Sequence, residues 1–323
     1  MKAIVYERYG TPDVLQLKEV DKPVPGNNEV LIKIHAASIN SFDMRHLKAD
    51  PFLIRFGAGL LKPKKNILGV DIAGVVEAVG KNVTRFQPGD EVFGDICECG
   101  CGGFAEYVSV DGTELALKPA SMTFNEAASI PMAAVTALKG LRDKGEIKSG
   151  QKLLINGASG GVGSFAVQIA KSFGAEVTAV CSTRNLDLAR SLGADHVIDY
   201  SREDLTKSGK LYDLILACNG YHPLSAYRRA LRPEGTYVMA GGTMKQIFAP
   251  MLLGPLLSKF GSKKITNISS KPSRGDLEFL IKLFEAGKIR PFIDRSYPLQ
   301  QTADAFWYIE REHAQGKVVI TVC

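Results

Sequence analysis

The sequence predicts an α/β protein of two domains, a β-rich N-terminal domain followed by a doubly wound parallel sheet. Three observations carry this. A chain of 323 residues is long for a single core. From Met1 to about Met122 it alternates short β-type runs with turn signals and shows no helical periodicity. From Gln151 onward, strands alternate with helices, the pattern of a parallel sheet covered on both faces.

In the first region the strands include Ala3-Ile4-Val5-Tyr6, Glu29 to Ile34 and Gly74 to Gly80, with loops at Pro23 to Asn28 and Phe86 to Asp90. Arg45 to Leu61 reads as a loop carrying Phe52, Leu53, Ile54, Phe56, Leu60 and Leu61. It is either the apolar mouth of a substrate site or a locally packed lid. Thr123 to Leu141 reads as a connecting helical region.

The stretch QKLLINGASGGVGSFAVQIAKSFG, Gln151 to Gly174, organises the second region. It gives a buried strand at Lys152 to Asn156, a glycine-rich turn at Gly157 to Gly163, and a helix at Ser164 to Phe173 with Phe165, Ile169 and Phe173 on one face. Strand, glycine turn and helix in that order open a dinucleotide-binding unit. In that register the turn reads Ala158-Ser159-Gly160-Gly161-Val162-Gly163. Ala158 stands for the first glycine, Gly160 lets the backbone approach a pyrophosphate, and Gly163 lets the helix pack on the strand. The pyrophosphate would rest on the helix N-terminus.

Strands then follow at Glu176 to Cys181, His196 to Ile198, Leu211 to Ala217 and Tyr237 to Ala240, with helices at Leu186 to Leu192 and Leu224 to Leu231. Ligands of such sheets lie at the carboxyl ends of the strands. Those ends carry Ser182-Thr183-Arg184, Asp199-Tyr200, Cys218-Asn219-Gly220 and Gly241-Gly242-Thr243. Met244 to Ser262 is an apolar insertion, Asp276 to Ala286 a last helix, and Pro291 to Tyr297, Thr302 to His313 and Lys317 to Val322 a return to the first domain, with Trp307 in the core.

Composition narrows the function. Hydrophobic content of 45% and charged content of 23% are ordinary globular values, and the net charge of +6 is scattered, densest at Lys62-Pro63-Lys64-Lys65, which argues against nucleic-acid binding. The apolar run Ile247 to Phe260 is too short to span a bilayer and is interrupted by Pro250, Gly254 and Pro255, so no membrane insertion is expected. The chain enters a strand at once, from which a cytoplasmic location is expected.

Several segments, in order, resemble the medium-chain dehydrogenase/reductase superfamily. They are Pro23-x-Pro25 with Glu29-Val30-Leu31-Ile32, Gly69-Val70-Asp71-x-x-Gly74, Pro88-Gly89-Asp90-x-Val92, Gly102-Gly103-Phe104-Ala105-Glu106-Tyr107, and the stretch from 152 to 174. The resemblance implies a GroES-like catalytic domain, 1–122 with 291–323, and a Rossmann domain, 123–290, with substrate and nicotinamide meeting in the cleft between them. It also implies a threonine, Thr136, presented toward the nicotinamide, and a segment at 244–262 that lines the cleft or borders a homodimer contact; the alternative there is a membrane-surface patch.

Zinc-dependent members place a cysteine where this chain has Asn40, and His-Glu where it has Val70-Asp71. Asn and Val cannot replace thiolate and imidazole, so a zinc-free site is expected. Cys97-Glu98-Cys99-Gly100-Cys101 sits where those members carry a four-cysteine structural site. With the fourth cysteine missing, the segment reads as reduced loop thiols or as a partial metal or redox site. The chain most resembles the quinone oxidoreductase-like branch, whose N-x-x-D segment is matched by Asn40 and Asp43. An amide there can hydrogen-bond a substrate carbonyl or the nicotinamide ribose while the carboxylate orients it; the alternative is a loop cap.

The expected activity is reduction of quinones or α,β-unsaturated carbonyls with NADPH. Ser182, Thr183 and Arg184 at the end of the second strand suit a 2′-phosphate where an acidic residue would select free ribose hydroxyls, and relatives add a tyrosine at the position of Tyr200. The cofactor residues expected are therefore Thr136, Ala158 to Gly163, Ser182 to Arg184, Tyr200, Asn219, Gly241 and Gly242. The alternatives are a nucleotide-binding sensor without turnover and a zinc alcohol dehydrogenase.

Overall fold

The computed structural model describes residues 1–205, 209–219, 222–242, 244–259, 261–268, 273–312 and 314–322. Gly220, Thr243, Phe260 and His313 lie outside the described residues. The chain divides into one unit of Met1–Met132, Pro272–Ile281 and Ile293–Cys323, and a second of Ala133–Lys271 and Lys282–Phe292.

In chain order the first unit has strands β1 (Lys2–Val5), β2 (Gln16–Glu19), β3 (Glu29–Ser38), β4 (Asp71–Val79), β5 (Glu91–Asp95), β6 (Tyr107–Asp111) and β7 (Leu115–Leu117). The second has β8 (Lys152–Asn156), β9 (Glu176–Cys181), β10 (His196–Asp199), β11 (Tyr212–Ala217), β12 (Leu231–Met239) and β13 (Lys264–Asn267). The chain then returns with β14 (Ile293–Pro298) and β15 (Lys317–Thr321). Helices are α1 (Ser41–Lys48), α2 (Ile54–Ala58), α3 (Phe124–Ser129), α4 (Pro131–Leu138), α5 (Gly161–Ser172), α6 (Leu186–Ser191), α7 (Leu224–Ala230), α8 (Met244–Lys259), α9 (Arg274–Glu285) and α10 (Thr302–Glu312).

The first unit is a seven-stranded sheet in the order β14-β15-β3-β4-β5-β7, with β6 also paired to β3. β3 runs four residues beyond the expected Ile34 because Ala36 and Ala37 continue the ladder to β4 and β15, and both are fully buried. The core joins Ile32, Ile34, Ile72, Phe104 and Phe306, the last two edge to face at 5.8 Å. Trp307 is not core: it is half-buried, and its indole N–H reaches Asp13 at 3.0 Å.

Two helices interrupt the expected loop. α1 begins where Asp43, at its third position, accepts the Asn40 amide at 2.8 Å, and it anchors through Leu47, which is fully buried. Beyond it, Phe52, Leu53, Phe56, Leu60 and Leu61 are exposed around α2.

The second unit is a six-stranded parallel sheet, β10-β9-β8-β11-β12-β13. Its strands read as continuous apolar runs because both faces are covered. Strand order turns back at β8, which pairs β9 on one side and β11 on the other, so the switch point lies at the carboxyl ends of β8 and β11. The helix after β8 starts at Gly161, three residues earlier than the apolar spacing suggested. The apolar insertion forms α8, with Pro250 and Pro255 inside it.

Candidate functional site

Two constellations hold the expected residues, one in each unit. In the second unit, β8 ends at Asn156, whose side-chain amide donates to the Asn219 carbonyl at 2.9 Å and to the Tyr227 hydroxyl at 2.5 Å. The tight turn follows at Gly157, with φ +79°, where a Cβ would lie 2.8 Å from the Asn219 Cβ. This corrects the register: the turn glycine is Gly157, and Ala158 is a fully buried neighbour whose N–H is given to the Val180 carbonyl at 3.1 Å.

Gly160 caps α5 in an extended conformation and offers no side chain to its first turn, and the nearest atom to a Cβ added there is the Gly157 carbonyl at 3.7 Å. At Gly163 the same construction meets the Gly157 oxygen at 2.1 Å, so helix and turn are in direct backbone contact. The amides of Gly161, Val162 and Gly163 belong to a first turn that has no intrahelical acceptors and no side-chain cap. A pyrophosphate fits this chemistry: there is space beside Gly160, with donors and the positive helix end behind it.

At the end of β9, Asn185 was not singled out by sequence. It is buried, and its amide donates to Ser159 at 2.8 Å and to Ser182 at 3.2 Å, tying the glycine turn to the neighbouring strand end. A polar residue closing a short turn after a strand was the available signal. Thr183 donates to Asp199 at 2.5 Å, and hydrogen bonds from Ser201 and Thr183 hold that carboxyl below its ordinary range. Arg184 and Tyr200 are exposed at the adjoining ends of β9 and β10. Asn219 is exposed after β11, Gly241 donates to the Ala217 carbonyl at 3.1 Å, and Gly242 follows with φ +125°. Thr136 is half-buried in α4, apart in sequence from these strand ends.

In the first unit a polar row crosses the apolar sheet. Val319 of β15 pairs with Ser38 of β3, Ser38 with Asp71 of β4, and Asp71 with Asp95 of β5. The Asn40 amide donates to Asp71 at 2.9 Å and accepts from the Lys317 ammonium at 2.5 Å, while Lys317 Nζ lies 3.4 Å from Asp71. The other Asp71 oxygen accepts the Met132 N–H at 2.9 Å. Asp43, wholly buried, accepts the main-chain amides of Asn40 and Gly69 at 2.8 and 2.9 Å. Burial pushes the Asp43 carboxyl up to about 7, and burial with Asp71 opposite pushes Asp95 up to about 8. Lys317 was missed by sequence reasoning. The signal was a lysine opening an otherwise apolar strand, Lys317-Val318-Val319-Ile320.

This donor set does not fit zinc. Asn40 and Asp71 already hold an ammonium, which repels a second cation, and no thiolate or imidazole joins them. Among the described residues no group of three or more His, Cys, Asp or Glu is arranged to hold a metal. Cys97, Cys99 and Cys101 are free thiols, and burial pushes all three up, Cys97 to about 12, which keeps them protonated and weakly nucleophilic.

A β-sheet unit with a returning C-terminal strand, and a doubly wound sheet with an open glycine turn, fit the two-domain architecture read from the sequence. Residues 26–120 match the alcohol dehydrogenase GroES-like domain family and residues 192–320 the zinc-binding dehydrogenase family. The chain belongs to the medium-chain dehydrogenase/reductase superfamily, in its quinone oxidoreductase-like branch. It is 35% identical to the mitochondrial NAD(P)H oxidoreductase RTN4IP1 of Mus musculus, across 100% of this chain and 89% of that protein. It is 37% identical to the 2-methylene-furan-3-one reductase of Solanum lycopersicum, across 99% of this chain and 79% of that protein. The solved quinone oxidoreductase of Coxiella burnetii matches with a TM-score of 0.88 at 30% identity, covering 100% of this chain and 99% of that one.

Proposed function

We propose that the protein is a zinc-independent, NADPH-dependent reductase of quinones or α,β-unsaturated carbonyls. The observation that carries this reading is the uncapped first turn of α5 beside Gly160, together with relatives named as a quinone oxidoreductase and a 2-methylene-furan-3-one reductase. NADPH, when bound, supplies the hydride. The chain's own part is to hold the pyrophosphate on Gly160 to Gly163 and the 2′-phosphate on Ser182, Arg184 and Tyr200, the Thr183 hydroxyl being committed to Asp199. Thr136, Asn219, Gly241 and Gly242 complete the proposed cofactor set. The exposed apolar side chains Phe52, Phe56, Leu60 and Leu61 suit a planar apolar acceptor.

Asn40 and Asp43 are assigned to the reacting end, where Asp43 anchors the chain at Asn40 rather than touching substrate. The charge that develops on the acceptor is met by Asn40, the nicotinamide ribose hydroxyl or water, so no dedicated acid is required. The exposed face of α8, with Phe248, Met251, Leu252 and Leu256, is assigned to a homodimer contact, which light scattering of the purified protein checks. A cytoplasmic location belongs to the same proposal. No helix among the described residues is long and apolar enough to cross a membrane, and the murine relative is named as mitochondrial.

The test is NADPH oxidation, followed by loss of the reduced nicotinamide's absorbance, with a naphthoquinone and an alkenal beside a binding titration. Turnover with either acceptor supports the reading. Binding without oxidation across a broad acceptor panel favours a nucleotide sensor, and one tightly bound zinc per chain overturns the zinc-free assignment.

A further inference from the structure

Lys317 is buried in the first unit, at 3% exposure. An ammonium leaves water only where partners replace its hydration. Its partners are the Asn40 side-chain oxygen at 2.5 Å, Asp71 at 3.4 Å and the Ile39 carbonyl at 3.4 Å. Three buried carboxylates surround it, but two have other partners: Asp43 accepts the Asn40 and Gly69 amides, and Asp95 accepts the Cys97 amide. Only Asp71 is within ion-pair distance of Lys317 among the described residues.

The position of this pair gives it a consequence beyond stability. An amide has a donor end and an acceptor end, and Asn40 presents the acceptor to Lys317 and the donor to Asp71. With the ammonium gone, the Asn40 oxygen loses its charged donor, and the amide is held only through its NH2 group, by Asp71 at 2.9 Å and the Ser38 carbonyl at 3.3 Å. The second Asp71 oxygen takes the Met132 N–H, in the first turn of α4, where main-chain donors lack intrahelical acceptors and a carboxylate is favoured. That helix carries Thr136. One cation therefore bears on two features, the Asn40 amide assigned to the reacting end and the main-chain anchorage of Met132 in the helix that carries Thr136.

We propose that Lys317 is the positioning residue of this reductase, its ammonium orienting the Asn40 amide and pairing with the Asp71 carboxylate that holds the first turn of the helix Pro131–Leu138. The proposal rests on the function assigned above. In it the chain supplies its own fixed cation against Asn40 and Asp71. Lys317 is too deeply buried to be the group that meets an acceptor.

The experiment compares the full-length wild type with Lys317→Met, Asp71→Asn and the double variant. It reads Met132 amide hydrogen exchange by NMR without cofactor, urea denaturation, and steady-state kinetics with the best acceptor. In Lys317→Met the loss of a charge-assisted hydrogen bond should speed Met132 exchange about tenfold and lower kcat about ten- to a hundredfold, with KM for NADPH changed less than about threefold. In the double variant an asparagine at 71 can accept from Met132 and donate to a reversed Asn40 amide. Stability and Met132 protection should therefore return while kcat stays low.

Wild-type kcat in Lys317→Met, or its full recovery in the double variant, overturns the proposal. If Lys317→Met does not fold, the double variant decides by its kcat. If the wild type oxidises NADPH with no acceptor, the functional reading fails. The proposal is then judged on Met132, whose unchanged exchange in Lys317→Met refutes it.

Discussion

Gly160 and Gly163 are three residues apart in one turn, yet the structure predicts opposite outcomes for replacing each with alanine. At Gly163 a Cβ would meet the Gly157 oxygen at 2.1 Å and the Ala158 Cα at 2.7 Å. Both are main-chain atoms that cannot rotate aside, so turn and helix must separate by roughly 1 Å or more to reach ordinary contact distance. Overpacking of this kind costs about 1–3 kcal/mol, and a unit of this size loses about 2–4 °C in Tm per kcal/mol. Gly163→Ala should therefore lower the Tm of the second unit by roughly 2–12 °C and weaken NADPH with it.

Gly160 has φ −83°, open to any residue, and its added Cβ meets nothing nearer than 3.7 Å. Gly160→Ala should leave the apo fold intact or stabilise it by about 0.4–1 kcal/mol through the unfolded chain. Its methyl would nevertheless stand where the pyrophosphate must approach. Losing one charge-assisted hydrogen bond, about 1.5–3 kcal/mol, weakens NADPH about ten- to a hundredfold. Calorimetric titration and thermal denaturation of both variants separate the two effects. Wild-type NADPH affinity in Gly160→Ala would refute the assignment of this turn to the cofactor.

Three further outcomes are expected. Arg184→Ala should weaken NADPH about ten- to a hundredfold and leave NADH nearly unchanged, and equal losses for both, or a wild-type preference for NADH, would remove the 2′-phosphate assignment. Asn40→Ala should lower kcat about tenfold while NADPH affinity stays within about twofold, as steady-state kinetics and titration will show; a normal kcat reduces Asn40 to the start of α1. Asp95 has a folded pKa raised to about 8, so its protonated form stabilises the fold below the unfolded carboxylate value, and that contribution is lost as pH rises toward 8. Urea midpoints of the wild type should fall between pH 5 and 8, and Asp95→Asn should flatten that fall; an identical slope in both means Asp95 is already ionised.

Much of the second unit could be read from local pattern. β8 and β9 match the expected Lys152 to Asn156 and Glu176 to Cys181 because their ends are set by a glycine turn and by polar residues on either side. The register of the turn was harder. Gly157 and Ala158 are adjacent, and only the backbone dihedral shows which of them turns the chain. In the first unit, α1 escaped because its eight residues are mostly polar, and its start depends on the carboxylate of Asp43, which a loop-cap reading uses equally well. Lys317 escaped for a different reason. It lies 277 residues from Asn40 in the chain, and only the pairing of β15 with β3 makes them neighbours. A lysine at the head of a strand reads as solvated until its partner strand is known.

The two units handle polar groups in opposite ways, and this contrast separates the roles assigned to them. In the second unit the first turn of α5 is left uncapped, since Gly160 has no side chain to offer it, and unpartnered donors are a binding capacity waiting for an anion. In the first unit Lys317, Asn40 and Asp71 are bonded to one another, with Asn40 partnered at both ends and Asp71 at both oxygens. A buried network whose bonds are largely made resists reorganisation, which is what a fixed electrostatic environment for a developing charge requires. Affinity should therefore respond mainly to substitutions in the glycine turn and at Ser182 to Arg184, and turnover mainly to those in the row. A row variant that altered NADPH affinity as strongly as kcat would break that division.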